Sequence, residues 1–258
     1  MRLDELLVER GLASSRARAQ ALVLAGKVRT GIGDSARTDR KPGDLIDPST
    51  PVEVPEPEPY VSRGGHKLAA ALDAFSIDPA GFVCLDVGAS TGGFTDVLLQ
   101  RGATRLYAID VGRGQLAERL RNDPRVVSMD RTNARHLTAA TLPEKVDLAV
   151  VDVSFISLAL VLGPIASTLT PSGTIVALVK PQFEAGRGKA PKGVVRDQAV
   201  HREVLEAVTA AARELGLGTR DLIRSPITGP EGNREFLAWF GSGPSCADLP
   251  KRIEAVTT

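Results

Sequence analysis

The sequence predicts an α/β protein, with a seven-stranded, mostly parallel sheet covered by helices on both faces and a small α+β piece ahead of it. Three observations carry that prediction. From Val83 onward, apolar runs of strand length alternate with helix-length amphipathic segments, as in strand–helix–strand units. The first of those runs ends in a glycine-rich turn between Asp86 and Gly93. Before them, Pro48, Pro51, Pro55, Pro57 and Pro59 interleave with acids, a composition that favours extended chain and marks a boundary near Pro59. Residues 1–59, linker included, and residues 60–258 are therefore expected to form separate domains.

Taken in order, the first helix is expected over residues 3–10 and is stopped at Gly11. A second starts with Ser14 or Ser15 as N-cap and ends at Gly26. Leu3, Leu6 and Leu7 are expected to face Ala21, Leu22 and Ala25, leaving Arg16, Arg18 and Lys27 solvated. Residues 1–41 hold nine basic side chains against five acidic ones, a surplus of four, whereas residues 42–59 hold five acids and no Lys or Arg. The segment TGIGDSARTDRKPGD lacks the tight Asn-Gly turn of a regular hairpin. RLDELLVERGLASSRARAQALVLAGKV, a helix-loop-helix followed by a basic strand start, resembles the S-four type of small RNA-binding domain found in a ribosomal protein and many pseudouridine synthases. That resemblance makes Arg2, Arg16, Arg18 and Lys27 candidates for RNA contact.

Strands are expected at Val83–Val87, Arg105–Asp110, Val126–Asp130 and Val146–Val151, and over residues 174–179, 219–227 and 234–240. Residues 153–179 carry no charge and are long enough to span a bilayer, but Gly163, Pro164, Ser167, Pro171, Ser172 and Gly173 interrupt them. A buried helix, a turn and a buried strand fit better. The 43% hydrophobic and 24% charged fractions belong to a soluble globular protein, and a net charge of +1 gives no whole-molecule sign of nucleic acid. Cys84 and Cys246 make neither a disulfide framework nor a metal-ligand spacing. With no apolar secretory segment at the start, a cytoplasmic location is expected. His66, His136 and His201 are too scattered for a metal site, and at 4% aromatic residues extensive base stacking is not expected.

The turn in CLDVGASTGGFTDVLL places Asp86, Gly88, Ser90, Gly92, Gly93 and Phe94 between a strand and a helix, where small residues let backbone approach a ligand. Such turns serve NAD, flavin and S-adenosylmethionine enzymes alike, and also plain packing. Asp110 ends the next strand about twenty residues on, where a carboxylate can accept ribose hydroxyls. Asp130 ends the third, beside an adenine edge or simply in solvent. Asp152 and Lys180 each follow an apolar strand, at the rim where open parallel sheets place ligands. A structural ion pair is the plainer account of those two. Glu235 reaches the same rim if the last strand runs antiparallel. Lys67, in RGGHKLAAAL, lies on a helix before the first strand.

The motifs VSRGGHKL, LDVGASTGGFTDVLL, DVGRGQL, RTNAR, DVSFIS, VKPQFE and GNREFL resemble those of the FtsJ-like ribose methyltransferases, and the whole chain resembles the TlyA family, often labelled hemolysin A. The resemblance implies a Rossmann-like class I methyltransferase fold, S-adenosylmethionine as cofactor, and cytidine 2′-hydroxyls in the ribosomal RNA of ribosomal subunits as acceptors. It also implies a catalytic tetrad on Lys67, Asp152, Lys180 and Glu235. Chemistry agrees, since methyl transfer needs alignment and removal of one hydroxyl proton, without a metal. Lys180 is the expected base, Asp152 would orient it, and Lys67 and Glu235 would position the ribose. Arg63, Arg187 and Lys189 join the RNA-contact candidates, the last two on a loop with Lys192 and Arg196 that is a phosphate clamp, a lid or merely solvated. The acidic, proline-laden linker departs from the more basic connector of the family. An inactive RNA-binding module is the alternative. A pore-forming hemolysin finds no usable span or cationic amphipathic helix, and an NAD enzyme leaves two rim lysines unexplained.

Overall fold

A computed structural model describes residues 1–33, 36–55, 58–186, 188–229 and 231–258, and the chain forms two compact units, Met1–Pro59 and Tyr60–Thr258. In the first unit, helices α1 (Leu3–Glu9) and α2 (Arg16–Leu24) precede short strands β1 (Arg29–Thr30) and β2 (Val52–Glu53), which pair antiparallel. Ser15 caps α2, its side chain accepting from the Arg18 N–H at 3.2 Å. The core joins Leu3, Leu6 and Leu7 to Ala19, Leu22 and Val23. Ala21 and Ala25, expected in that core, are exposed, because the i, i+3, i+4 stripe of α2 starts at Ala19. The irregular segment after β1 folds back at Arg37, which exchanges backbone hydrogen bonds with Thr30. Asp34 and Ser35 lie outside the described residues.

Asp4 is fully buried beneath this helix pair. Its carboxylate accepts from Nε and Nη2 of Arg2 at 3.0 Å each, from Arg16 Nε at 3.1 Å and from Gln20 Nε2 at 2.9 Å. Arg2 first, then Gln20 and Arg16, hold the carboxyl well below the usual range. A carboxyl lowered by folding stabilises fully above its unfolded value, near pH 4, and that contribution is lost as pH falls further. Because Arg2 and Arg16 remain partly solvated, Asp4→Ala is expected to cost about 2 kcal/mol. Faster hydrogen exchange confined to α1 and α2 amides is the expected result, and wild-type exchange there would contradict it.

The second unit runs α3 (Gly64–Ala74), β3 (Val83–Val87), α4 (Gly93–Gln100), β4 (Arg105–Asp110), α5 (Glu118–Arg121), β5 (Val126–Asp130) and β6 (Val146–Val151). It continues through α6 (Leu162–Ala166), β7 (Leu169–Val179), α7 (Pro181–Glu184), α8 (Gln198–Glu214), β8 (Leu217–Arg224), β9 (Phe236–Ser242) and α9 (Leu249–Thr257). The seven-stranded sheet has the order β5-β4-β3-β6-β7-β9-β8. It is parallel from β5 to β7, while β9 runs antiparallel to both its neighbours. Strand periodicity divides the side chains between two cores: Ala149, Val151, Ile175, Ala177 and Val179 face one, and Leu148, Val150, Val176 and Leu178 the other. Burial on both faces is why these runs read as continuously apolar.

Three boundaries differ from expectation. β7 begins at Leu169 rather than 174, because Pro171, Ser172 and Gly173 are absorbed by a register shift against β6 instead of ending the strand. β8 runs from Leu217 to Arg224, and β9 starts at Phe236, so Glu235 immediately precedes its strand. The uncharged stretch divides between α6 and β7, and among the described residues no helix is long and apolar enough to cross a membrane.

Candidate functional site

Register delivers the site. Val87 pairs with Val151, and the Asp152 N–H donates to the Val87 carbonyl at 2.9 Å, so Asp152 leaves β6 beside the turn after β3. Val179 pairs with Phe236, so Lys180 leaves β7 next to the point where Glu235 enters β9. Gly88, at φ +84°, must be glycine: a Cβ there would lie 2.5 Å from the Asp152 carbonyl oxygen. A Cβ on Gly93 would come within 2.9 Å of the Gly65 backbone nitrogen, so the starts of α3 and α4 touch along bare backbone. That contact carries Lys67 inward. Its Nζ lies 2.5 Å from Glu235 Oε2, and the two residues are only 7% and 1% exposed.

A second pair stands beside it. Lys180 Nζ is 2.6 Å from Asp152 Oδ1 and donates to Ser154 Oγ at 2.8 Å. Lys67, Asp152, Lys180 and Glu235 line one cavity of about 800 Å³, together with Asp86, Gly88, Ser90, Gly93 and Phe94 of the glycine turn. Asp86 is fully buried; its Oδ2 accepts from the Thr95 N–H at 2.9 Å and hydroxyl at 2.7 Å, while Oδ1 has no partner. Burial first, and then the charges of Asp152 and Asp110, push this carboxyl up to about 7.

Asp110, Asp130 and Gly92 do not line the cavity. Asp110 accepts from the Ser90 N–H at 2.8 Å and the Gly112 N–H at 2.7 Å, and exposed Asp130 accepts from the Gly114 N–H at 2.8 Å, so both brace the loops at its edge. Gly92 meets Leu116 and Leu120, a packing role. Among the cations, exposed Arg63 lines the cavity and donates to the Thr228 carbonyl at 3.0 Å. Lys189 is paired with Glu203, Arg2 and Arg16 are engaged by Asp4, and Arg18 and Lys27 are exposed. Arg187 lies outside the described residues. His201 is buried, with Nε2 3.1 Å from the Val195 carbonyl, His136 is exposed, and the His66 ring meets Tyr60 edge-on.

Sequence reasoning missed Ser154, Phe155, Phe183, Glu184 and Asn233. Phe155 is 88% exposed at φ +62°, its ring 4.8 Å from that of Phe183. Glu184 accepts from the Ser157 hydroxyl at 2.7 Å and the Leu158 N–H at 2.8 Å, and burial raises its carboxyl. Asn233 accepts from the Val195 N–H at 2.9 Å and donates to the Gly193 carbonyl at 2.8 Å. Their only sequence signal was position, within the short motifs that follow Asp152 and Lys180 or precede Glu235.

This sheet order and rim site define a methyltransferase fold. A solved Listeria monocytogenes structure, described as an S-adenosylmethionine-dependent methyltransferase and 15% identical, shares that fold at a TM-score of 0.53 over 70% of this chain and 99% of that one. The FtsJ-like methyltransferase model matches residues 60–242, and the S4 domain model matches residues 1–30. The 16S/23S rRNA (cytidine-2′-O)-methyltransferase TlyA of Mycobacterium tuberculosis is 49% identical over 98% of this chain and 94% of its own length. A solved Streptococcus thermophilus structure, described as a hemolysin, is 44% identical, with a TM-score of 0.77 over 100% of this chain and 94% of that one. The chain belongs to the FtsJ-like methyltransferase family, in its TlyA branch.

Asp86 supplies a test of the site's electrostatics. A carboxyl raised by folding keeps a proton that the unfolded chain releases, so its contribution to stability falls as pH rises from about 4 to about 7 and is flat above. Asp86→Asn retains an acceptor for Thr95 and is expected to melt a few degrees above wild type at pH 8, the gap closing toward pH 4. Equal melting temperatures at pH 8 in scanning calorimetry would show that the buried carboxylate carries no such cost.

Proposed function

We propose that this chain transfers a methyl group from S-adenosylmethionine to the 2′-hydroxyl of cytidine in ribosomal RNA, in the cytoplasm and on ribosomal subunits as substrate. The observation that carries the reading is the meeting of the Lys180–Asp152 and Lys67–Glu235 pairs in one cavity with the glycine turn. The cofactor suits that turn. Gly88 and Gly93 leave bare backbone, and the unpartnered, buried Asp86 Oδ1 marks a place for a cationic or hydroxyl-bearing ligand. Asp86, Gly88, Ser90, Gly93 and Phe94 would hold it, with Asp110 and Asp130 bracing the loops around them. When bound, it would supply a methyl group activated on a positively charged sulfur.

The remaining steps fall to the chain's own side chains. Lys180, once its ammonium has lost a proton, would take the proton of the ribose hydroxyl, leaving that oxygen free to accept the methyl group as its bond to sulfur breaks and the bonding pair stays on sulfur. The Lys180 ammonium so formed is met by Asp152 at 2.6 Å. Lys67 and Glu235, locked together, present fixed donors and acceptors to the ribose, so alignment costs little at the moment of reaction. The exposed Phe155 ring, tilted against half-buried Phe183, offers an apolar surface for the attached base. In the first unit, the solvated cations Arg18 and Lys27 suit RNA phosphates.

The test is transfer of radiolabelled methyl to unmethylated small and large ribosomal subunits. Label on cytidine ribose is expected, and no label on either particle despite bound cofactor would reject the reading. Lys180→Ala is expected to lower kcat by roughly 10²–10⁴-fold while calorimetry still detects cofactor binding. Phe155→Ala is expected to raise KM for RNA by roughly ten- to hundred-fold with little effect on the cofactor. An unchanged KM would remove Phe155 from substrate contact.

A further inference from the structure

An ammonium group carries three N–H donors. One of those on Lys180 goes to Ser154 Oγ at 2.8 Å, while Asp152 Oδ1, 2.6 Å away, is an ion-pair partner without a directed hydrogen bond, so the Ser154 bond fixes the direction of the amine. Ser154 is exposed, lines that cavity and sits between Val153 and the left-handed Phe155. A bulky residue at φ +62° is strained and persists only where its surroundings hold it. They do so at two points. The Phe155 ring rests on Phe183, and Glu184 grips Ser157 and Leu158, so the segment carrying Ser154 is fastened to α7, the helix that starts directly after Lys180.

We propose that Ser154 is a positioning residue for Lys180: its hydroxyl oxygen aims the amine into the cavity and, by accepting from the ammonium form, sets how readily Lys180 gives up its proton. The inference rests on the reading of Lys180 as the base. It adds a fifth residue to the two ion pairs and gives the strained turn at Phe155 a purpose. The other charged groups that face the cavity, Asp152, Lys67, Glu235, Asp86, Arg63 and Glu231, are untouched by the variants below.

The test compares full-length wild type with Ser154→Ala and Ser154→Thr, in lysine-labelled protein, with the Lys180 resonance assigned through Lys180→Arg. Without its acceptor, the Lys180 ammonium is held less firmly, so the titration of the Cε signal in Ser154→Ala is expected to move down by about one pH unit. Ser154→Thr, which keeps the hydroxyl, is expected to return it to the wild-type position. In the methyl-transfer assay, the rising limb of the kcat profile should move the same way. Plateau kcat should fall about tenfold in Ser154→Ala, with KM for S-adenosylmethionine unchanged. A Cε titration identical in wild type and Ser154→Ala would overturn the inference whatever the activity. A shifted titration in a wild-type protein that transfers no methyl would uphold the positioning role and reject the reaction instead.

Discussion

The antiparallel pairing of β9 with β7 is the constraint on which the site depends. In a parallel sheet all carboxyl ends share one rim, so Gly88, Asp152 and Lys180 arrive there by topology alone. Glu235 could not, because it opens its strand rather than closing it. Reversing β9 brings that opening to the same rim, and matching Val179 with Phe236 sets Lys180 and Glu235 at the same level. A one-residue slip would turn Phe236, Ala238 and Phe240 from one core to the other, so burial of those side chains also enforces the registry of the charges.

Placing Lys67, Lys180, Asp152 and Glu235 around one cavity has a desolvation cost, and the structure contains it by pairing them. A buried pair such as Lys67–Glu235 adds little net stability over apolar packing, yet removing either partner strands the other's charge, which makes the geometry hard to abandon. The rigid pair and the Lys180–Asp152 pair differ in kind. Lys67 and Glu235 close on each other in near-complete burial, whereas Lys180 is ion-paired with a carboxylate and donates to a hydroxyl at a more open position. The first arrangement suits a fixed template, the second a group that must exchange a proton.

Much of this was legible in the chain. Apolar runs buried on both faces announce themselves, and the strands at Val83–Val87, Arg105–Asp110, Val126–Asp130 and Val146–Val151 stand where their patterns put them. The rim positions of Asp152 and Lys180 follow from those strand ends. What escaped depended on geometry without a residue signature. Pro171 and Gly173 read as a turn, although a register shift keeps them in β7. Ala21 and Ala25 read as core, but the helical stripe starts two residues earlier than their spacing suggests, at Ala19. Asp110 and Asp130 read as ligand contacts, and nothing in the sequence shows that each also accepts from backbone N–H groups of the neighbouring loops. A left-handed phenylalanine has no sequence sign at all, since composition favours glycine there.

That strained residue also shows how the two halves of the sheet divide their work. The β3–α4 turn is shaped by the absence of side chains: Gly88 and Gly93 are needed because backbone passes where a Cβ would sit. The segments after β6 and β7 are shaped by side chains that hold one another, Phe155 on Phe183 and Glu184 on Ser157 and Leu158. Gly88 joins the halves, since the carbonyl that forbids its Cβ belongs to Asp152. Any side chain at that glycine would push directly on the residue paired with Lys180. The glycine turn and the Asp152–Lys180 pair thus meet through backbone, at the Gly88–Asp152 approach and the Asp152 N–H bond to the Val87 carbonyl, so the proposed donor and acceptor would be aligned by the sheet rather than by flexible side chains.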